Sequence, residues 1–135
     1  MFLFRPVGLL ELELIAKAEF RAFPPRLAHQ PIFYPVLNRT YAEEIARGWN
    51  PTDEASGYVG FVTRFEVGDA IAERYPVQVA GAKRHEELWV PAEELDDFNA
   101  AIVGRIAVEA AFPGERFEGC IDEATHLPES LLSYL

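Results

Sequence analysis

The stretch YVGFVTRFEV, residues 58–67, sets Val59, Phe61, Thr63, Phe65 and Val67 on alternate positions. A strand turns successive side chains to opposite faces, so this spacing predicts a β-strand with one face in a core. A second run, GRIAVEAAF at 104–112, alternates Ile106, Val108 and Ala110 and predicts a closing strand. Strands need partners, and shorter candidates supply them. Phe2–Arg5 is stopped by Pro6 and Gly8, and IFYPV carries an internal Pro35 that suits an edge or a strand end. PVQVAGA and EELWVP complete the set.

Helical spacing occurs in two substantial places. Leu9, Leu12, Ile15, Ala16 and Phe20 recur at helical intervals and predict a helix over 9–20. RTYAEEIARGW predicts a second, capped by Asn38 or Thr40 and ended by Gly48. AEELDDFNAAI reads as a shorter helix whose acids suit its N-terminal end. The three prolines of FPPRLAHQP exclude regular hydrogen bonding there. Strands crowded into the second half, with varied connections, predict an α+β fold and not a regular βαβ repeat.

The chain has 135 residues, half of them hydrophobic, which suits one domain with a real core. Its formal net charge of −10 argues against non-specific nucleic-acid binding, which needs a basic footprint. Cys120 is the single cysteine and has no internal disulfide partner, so a reducing cytoplasm is the expected setting. The apolar start lacks a basic leader region, and no uncharged run is long enough to span a membrane. His29, His85 and His126 lie far apart with no metal-ligand spacing, so no metal is expected. Phosphate-loop, dinucleotide-fingerprint and nucleophile-elbow patterns are absent.

The candidate site residues each carry two readings. Glu87 follows His85 and precedes Trp89 on alternate strand positions. It is either a carboxylate that stabilises a developing cation or part of a solvated strand face. Arg5 closes the tetrad FLFR and either forks onto a phosphate or carboxylate or pairs with a surface acid. Tyr34 and Tyr41 bracket a strand-to-helix turn and either stack on a flat ligand or pack in the core.

The order of these pieces is similar to the ADP-ribosyltransferase-like superfamily. LFRPVG leads into a helix, QPIFYPVLNRTYAEEIA gives an aromatic strand and a helix, and ELWVPAEELDDFNAAIVGRIAV closes the series. Glu87, Leu88, Trp89, Val90 and Pro91 resemble the superfamily's last motif, with Glu87 at the place of its catalytic glutamate. The chain also resembles small bacterial proteins described as "ADP-ribosylation/crystallin J1", through RPVGLLELELI, FPPRLAHQPIFYPVLN, SGYVGFVTRFEV and HEELWVPAEELDDFN. The crystallin J1 half of that description points to large, all-helical, metal-dependent glycohydrolases. This chain is too short, too strand-rich and too poor in clustered aspartates to fit them.

The resemblance implies a split β-sheet core with two main helices over residues 1–112, and a C-terminal extension over 113–135 packed on the surface. It implies NAD⁺ as substrate, no metal, and a protein acceptor or partner. Glu87 would act on the ribose, with His85 orienting it or meeting the acceptor. Arg5 would clamp a phosphate or ribose, and Tyr34 would stack on nicotinamide, with Tyr41 or Trp89 as substitutes. Two departures stand beside this. The Ser-Thr-Ser motif of the Arg–Ser–Glu branch has no match beyond Thr63, and His85 stands where arginine-modifying and asparagine-modifying members carry Glu or Gln. The alternatives are NAD⁺ hydrolysis without an acceptor, or a non-catalytic module that binds a nucleotide or a protein.

Overall fold

The computed structural model describes residues 1–82 and 84–135. The long alternating run is strand β3 (Val59–Val67), between β1 (Phe2–Val7) and β7 (Ile102–Pro113) in an antiparallel sheet of order β1-β3-β7. One face of this sheet carries Val59, Phe61, Phe65 and Val67 into the main core with Leu12, Ile15 and Ala16 of α1 (Leu9–Lys17). The other face holds Val62, which packs with Ala42 and Ala46 of α2 (Arg39–Gly48). The prediction of one buried face is therefore too modest: β3 is central and buried on both sides.

Gly60 explains how close α2 lies. A Cβ there would sit 2.1 Å from the Ala46 carbonyl oxygen, so only glycine lets helix and strand backbones meet. Asn38 caps α2 by accepting from Tyr41 N at 2.8 Å, and its amide also donates to Arg84 O at 2.6 Å. The cap ties the helix start to the segment that leads into β5 (Glu86–Glu87).

The expected helix over 9–20 ends earlier, at Lys17. Glu19 and Phe20 take positive φ values of 58° and 59°. This turn buries Phe20 in the core and aims its carbonyl at Ile106 N, 2.6 Å away. Burial and that hydrogen bond offset the left-handed backbone.

The two proline-marked strands form one ribbon. β2 (Ile32–Phe33) pairs with β6 (Val90–Pro91), Val36 bridges Glu87, and Leu88 N donates to Pro35 O at 2.9 Å. The register that sets Phe33 against Val90 and Val36 against Glu87 puts Tyr34 opposite Trp89. β5 also pairs with β4 (Gln78–Val79), which follows the short α3 (Asp69–Ala72). The last helix, α4 (Leu95–Ala100), packs Leu95 and Phe98 into the core.

Where this ribbon meets β1 the sheet opens. Phe4 and Val36 exchange both backbone hydrogen bonds, at 2.9 and 2.8 Å. Two residues on, Pro6 has no N–H for the same edge, so the ladder stops. β1 and the ribbon then diverge around a cleft. Residues 113–135 do more than coat the surface, because Leu127 and Leu131 enter the main core. Among the described residues no helix is long and apolar enough to cross a membrane.

Candidate functional site

The cleft has a volume of about 600 Å³ and lies between the end of β1, the ribbon, the start of α1 and the end of α2 with the loop after it. Arg5, Tyr34, Glu87 and Trp89 all line it. Four of the six expected site residues therefore meet at one place, although 29 residues separate Arg5 from Tyr34 and a further 53 separate Tyr34 from Glu87.

Glu87 is only 8% exposed, and its carboxylate is fixed from two sides. The Trp89 indole donates to Oε1 at 2.9 Å, and the Tyr41 hydroxyl donates to Oε2 at 3.1 Å. Each carboxylate oxygen can accept a second hydrogen bond, so capacity remains for a ligand hydroxyl. Burial, then the charge of Glu87 and its hydrogen bond, push the Tyr41 hydroxyl up to about 12. Tyr41 is thus a firm donor at any ordinary pH. Trp89 and Tyr34 make an edge-to-face pair with centroids 6.3 Å apart. Both rings are substantially exposed and available to a flat group.

His85 and Tyr41 are placed differently from expectation. His85 does not line the cleft. Its ring stacks on Tyr41 at 4.3 Å, and its Nε2 lies 2.8 Å from Glu44 Oε2. Tyr41 presents its hydroxyl to Glu87 and its face to His85, so it is not a stacking platform for a ligand. Tyr41 and Trp89, and not His85, orient Glu87. Helix spacing carries this signal only in part. Tyr41 and Glu44 share one face of α2, but nothing in sequence says that β5 runs beneath it.

The opposite wall carries an ion pair of Arg5 and Glu11, with Arg26 outside the lining. Arg5 binds Glu11 through Nε at 2.6 Å and Nη2 at 2.9 Å, and Nη1 donates to Tyr34 O at 3.4 Å. Arg26 Nη1 lies 3.7 Å from the same carboxylate. Both guanidiniums sit over the Phe33 ring, at 4.8 and 5.9 Å. Burial opposes the charge on Glu11, yet Arg5 and then Arg26 hold its carboxyl below the usual carboxylate range. Burial and the neighbouring Arg5 charge lower Arg26 from its ordinary value, against the pull of Glu11.

A third corner is polar and carries the Asp53 carboxylate. The buried Asn50 donates to Ser56 Oγ at 2.9 Å, and Ser56 donates to Asp53 Oδ2 at 2.6 Å. Leu10, Leu27 and Trp49 ring the mouth and are more than half exposed. Sequence reasoning missed Glu11, Arg26, Trp49 and the Asn50–Asp53–Ser56 corner. The loop NPTDEAS and the acid six residues after Arg5 were visible, but their convergence needs the tertiary fold. Among the described residues no three His, Cys, Asp or Glu side chains gather as metal ligands. No protein-family model matches the chain, and no curated protein or solved structure matches it.

Proposed function

We propose that the cleft binds NAD⁺ and that the protein is an ADP-ribosyltransferase-like protein acting on the nicotinamide–ribose bond. The observation that carries this reading is the polarity of the cleft. One wall pairs the Glu87 carboxylate with the exposed rings of Tyr34 and Trp89, a combination that favours a flat cation. The other wall holds Arg5, with Arg26 behind it, and favours an anion. NAD⁺ carries a positively charged nicotinamide ring at one end and a negatively charged diphosphate in the middle, so both walls find a counterpart. The resemblance of LFRPVG, QPIFYPVLNRTYAEEIA and ELWVPAEELDDFNAAIVGRIAV to the superfamily's pieces supports the same ligand.

In this reading the glycosidic bond breaks with its electron pair leaving on the nicotinamide nitrogen. The ribose is left as an oxocarbenium-like cation. Glu87 accepts a hydrogen bond from a ribose hydroxyl and stabilises that cation, while Tyr41 and Trp89 keep the carboxylate in one orientation. An acceptor on a protein, or water, then supplies the electron pair for the new bond. No metal enters these steps.

A second reading, a non-catalytic module with the same fold, has its own support. Glu11 already fills the Arg5 fork, and the apolar rim of Leu10, Leu27 and Trp49 suits a protein partner. Release of nicotinamide separates a catalyst from a non-catalytic module, and calorimetric titration with NAD⁺ separates a nucleotide site from a protein-binding face. The expected result is saturable binding that weakens about tenfold or more in Arg5→Ala and in Tyr34→Ala together with Trp89→Ala. The absence of any heat of binding would leave the protein-binding reading.

A further inference from the structure

The corner of Asn50, Asp53 and Ser56 has acceptors left over. The Asn50 amide nitrogen donates to Ser56 Oγ, and the Ser56 hydroxyl donates to Asp53 Oδ2. Reversing the Asn50 amide would set two acceptors on the single Ser56 proton, so only this orientation satisfies both contacts. It leaves Asn50 Oδ1 buried with no hydrogen-bond partner, on a residue that is 7% exposed and lines the cleft. A buried acceptor without a donor costs free energy unless something supplies one. Asp53 shares the corner, and among the described residues no cation pairs with it. Of the charged residues that line the cleft, Arg5 and Glu11 cancel, and the carboxylates of Asp53 and Glu87 remain. The corner is also held in place. Backbone hydrogen bonds tie Asp53 to Asn50, Ser56 and Tyr58. A Cβ on Gly8 would sit 2.6 Å from Ser56 Cα, so α1 starts directly against the corner.

We propose that Asn50, Asp53 and Ser56 form a subsite for a primary ammonium group. Asn50 Oδ1, Asp53 Oδ1 and the remaining lone pair of Ser56 Oγ are acceptors. An ammonium is a compact charge with three donors, so it answers the acceptors and balances Asp53. A guanidinium fits less well, because its planar fork engages both oxygens of a carboxylate and Asp53 Oδ2 already holds the Ser56 hydroxyl. A neutral hydroxyl would serve Asn50 and leave the Asp53 charge without a counterpart. Trp49 directly precedes Asn50, lines the same cleft and is more than half exposed, so its ring is available to cover the cation. The ligand class is therefore a primary amine in its charged form. This site goes beyond the NAD⁺ reading and does not rest on it. None of its residues has a role in that reading, and NAD⁺ carries no ammonium group.

The probe is n-butylammonium chloride, titrated into nitrogen-labelled protein at constant ionic strength and followed by NMR. The expected result is a saturable shift of the Asn50 side-chain amide and of the Trp49 indole N–H. Tetramethylammonium has the same charge but no N–H donor, and should bind about tenfold more weakly or not at all. Asp53→Asn keeps the size and an acceptor for Ser56, and should weaken n-butylammonium about tenfold or more. Asp53→Glu, which moves the carboxylate by one methylene, should weaken it as well and serves where Asp53→Asn does not fold. No saturable shift at Asn50, equal binding of the two cations, or undiminished binding in the folded Asp53 variants overturns the proposal. Shifts confined to the Trp89 indole, which donates to Glu87, would place the cation on the other wall and overturn it too.

Discussion

Glu87 is the residue on which the account turns, and its neighbours give it testable behaviour. Glu87→Gln keeps the shape and the hydrogen-bonding reach but removes the charge that would meet the ribose cation in the proposed reaction. NAD⁺ turnover should fall on the order of 10²–10³-fold while NAD⁺ affinity changes little. The alkaline titration of the tyrosines is a second check at this scale. The protein has five tyrosines, and Tyr41 and Tyr75 are both pushed up to about 12, each first by burial and then by a carboxylate that accepts its hydroxyl. A raised phenol favours the protonated folded form. The stability it contributes is complete below the unfolded value near 10 and is lost as pH rises through about 12. Absorbance of tyrosinate should therefore show a late phase, and Tyr41→Phe should remove part of it. The resemblance singled out Arg5, Tyr34, Glu87 and Trp89, and these four do line one cleft. Alternation also placed Trp89 beside Glu87, but the second partner, Tyr41, was not legible. Tyr41 hydrogen-bonds across 46 residues, and alternation alone favoured His85 at that role.

At the scale of elements, one missing donor and one missing side chain shape the cleft. Pro6 ends the ladder between β1 and the ribbon, so the sheet splays where a continuous one would leave no cleft. Sequence marked Pro6 and Pro35 as strand ends, but β1 runs on through Pro6 to Val7 in its pairing with β3, and only its edge toward the ribbon stops there. Sequence could not say that their two strands face each other. Gly60 is the counterpart on the other face. Gly60→Ala would force its Cβ against the Ala46 backbone, which has no flexible end to yield. It should cost about 3 kcal/mol or more, at or beyond the upper end of ordinary overpacking, read as a lower thermal midpoint. Because α2 carries Tyr41, a folded Gly60→Ala protein should also loosen the Glu87 carboxylate. The early end of α1 was not legible, since nothing in the local pattern sets Phe20 in a left-handed turn. Its burial and the Ile106 hydrogen bond, made 86 residues later, decide it.

At the scale of the whole molecule, the α+β class followed from strand alternation and two amphipathic helices, and the structure has both. The tail was less legible because its apolar residues are sparse and follow no period. Leu127 is nevertheless among the largest fully buried side chains. Leu127→Ala should destabilise the fold by roughly 2–5 kcal/mol in denaturant titration, a loss that a surface extension would not produce. The net charge of −10 bears on the ligand too. If the cleft takes NAD⁺, as proposed, an anionic dinucleotide approaches an acidic protein against repulsion, and moderate salt that screens this repulsion should aid its capture beside Arg5. The most direct measurement of the central claim is release of nicotinamide from NAD⁺ by the wild-type protein and by Glu87→Gln. The account predicts release above the spontaneous rate for the wild type and return to that rate in the variant. Equal release by both proteins, at background or above it, would contradict it.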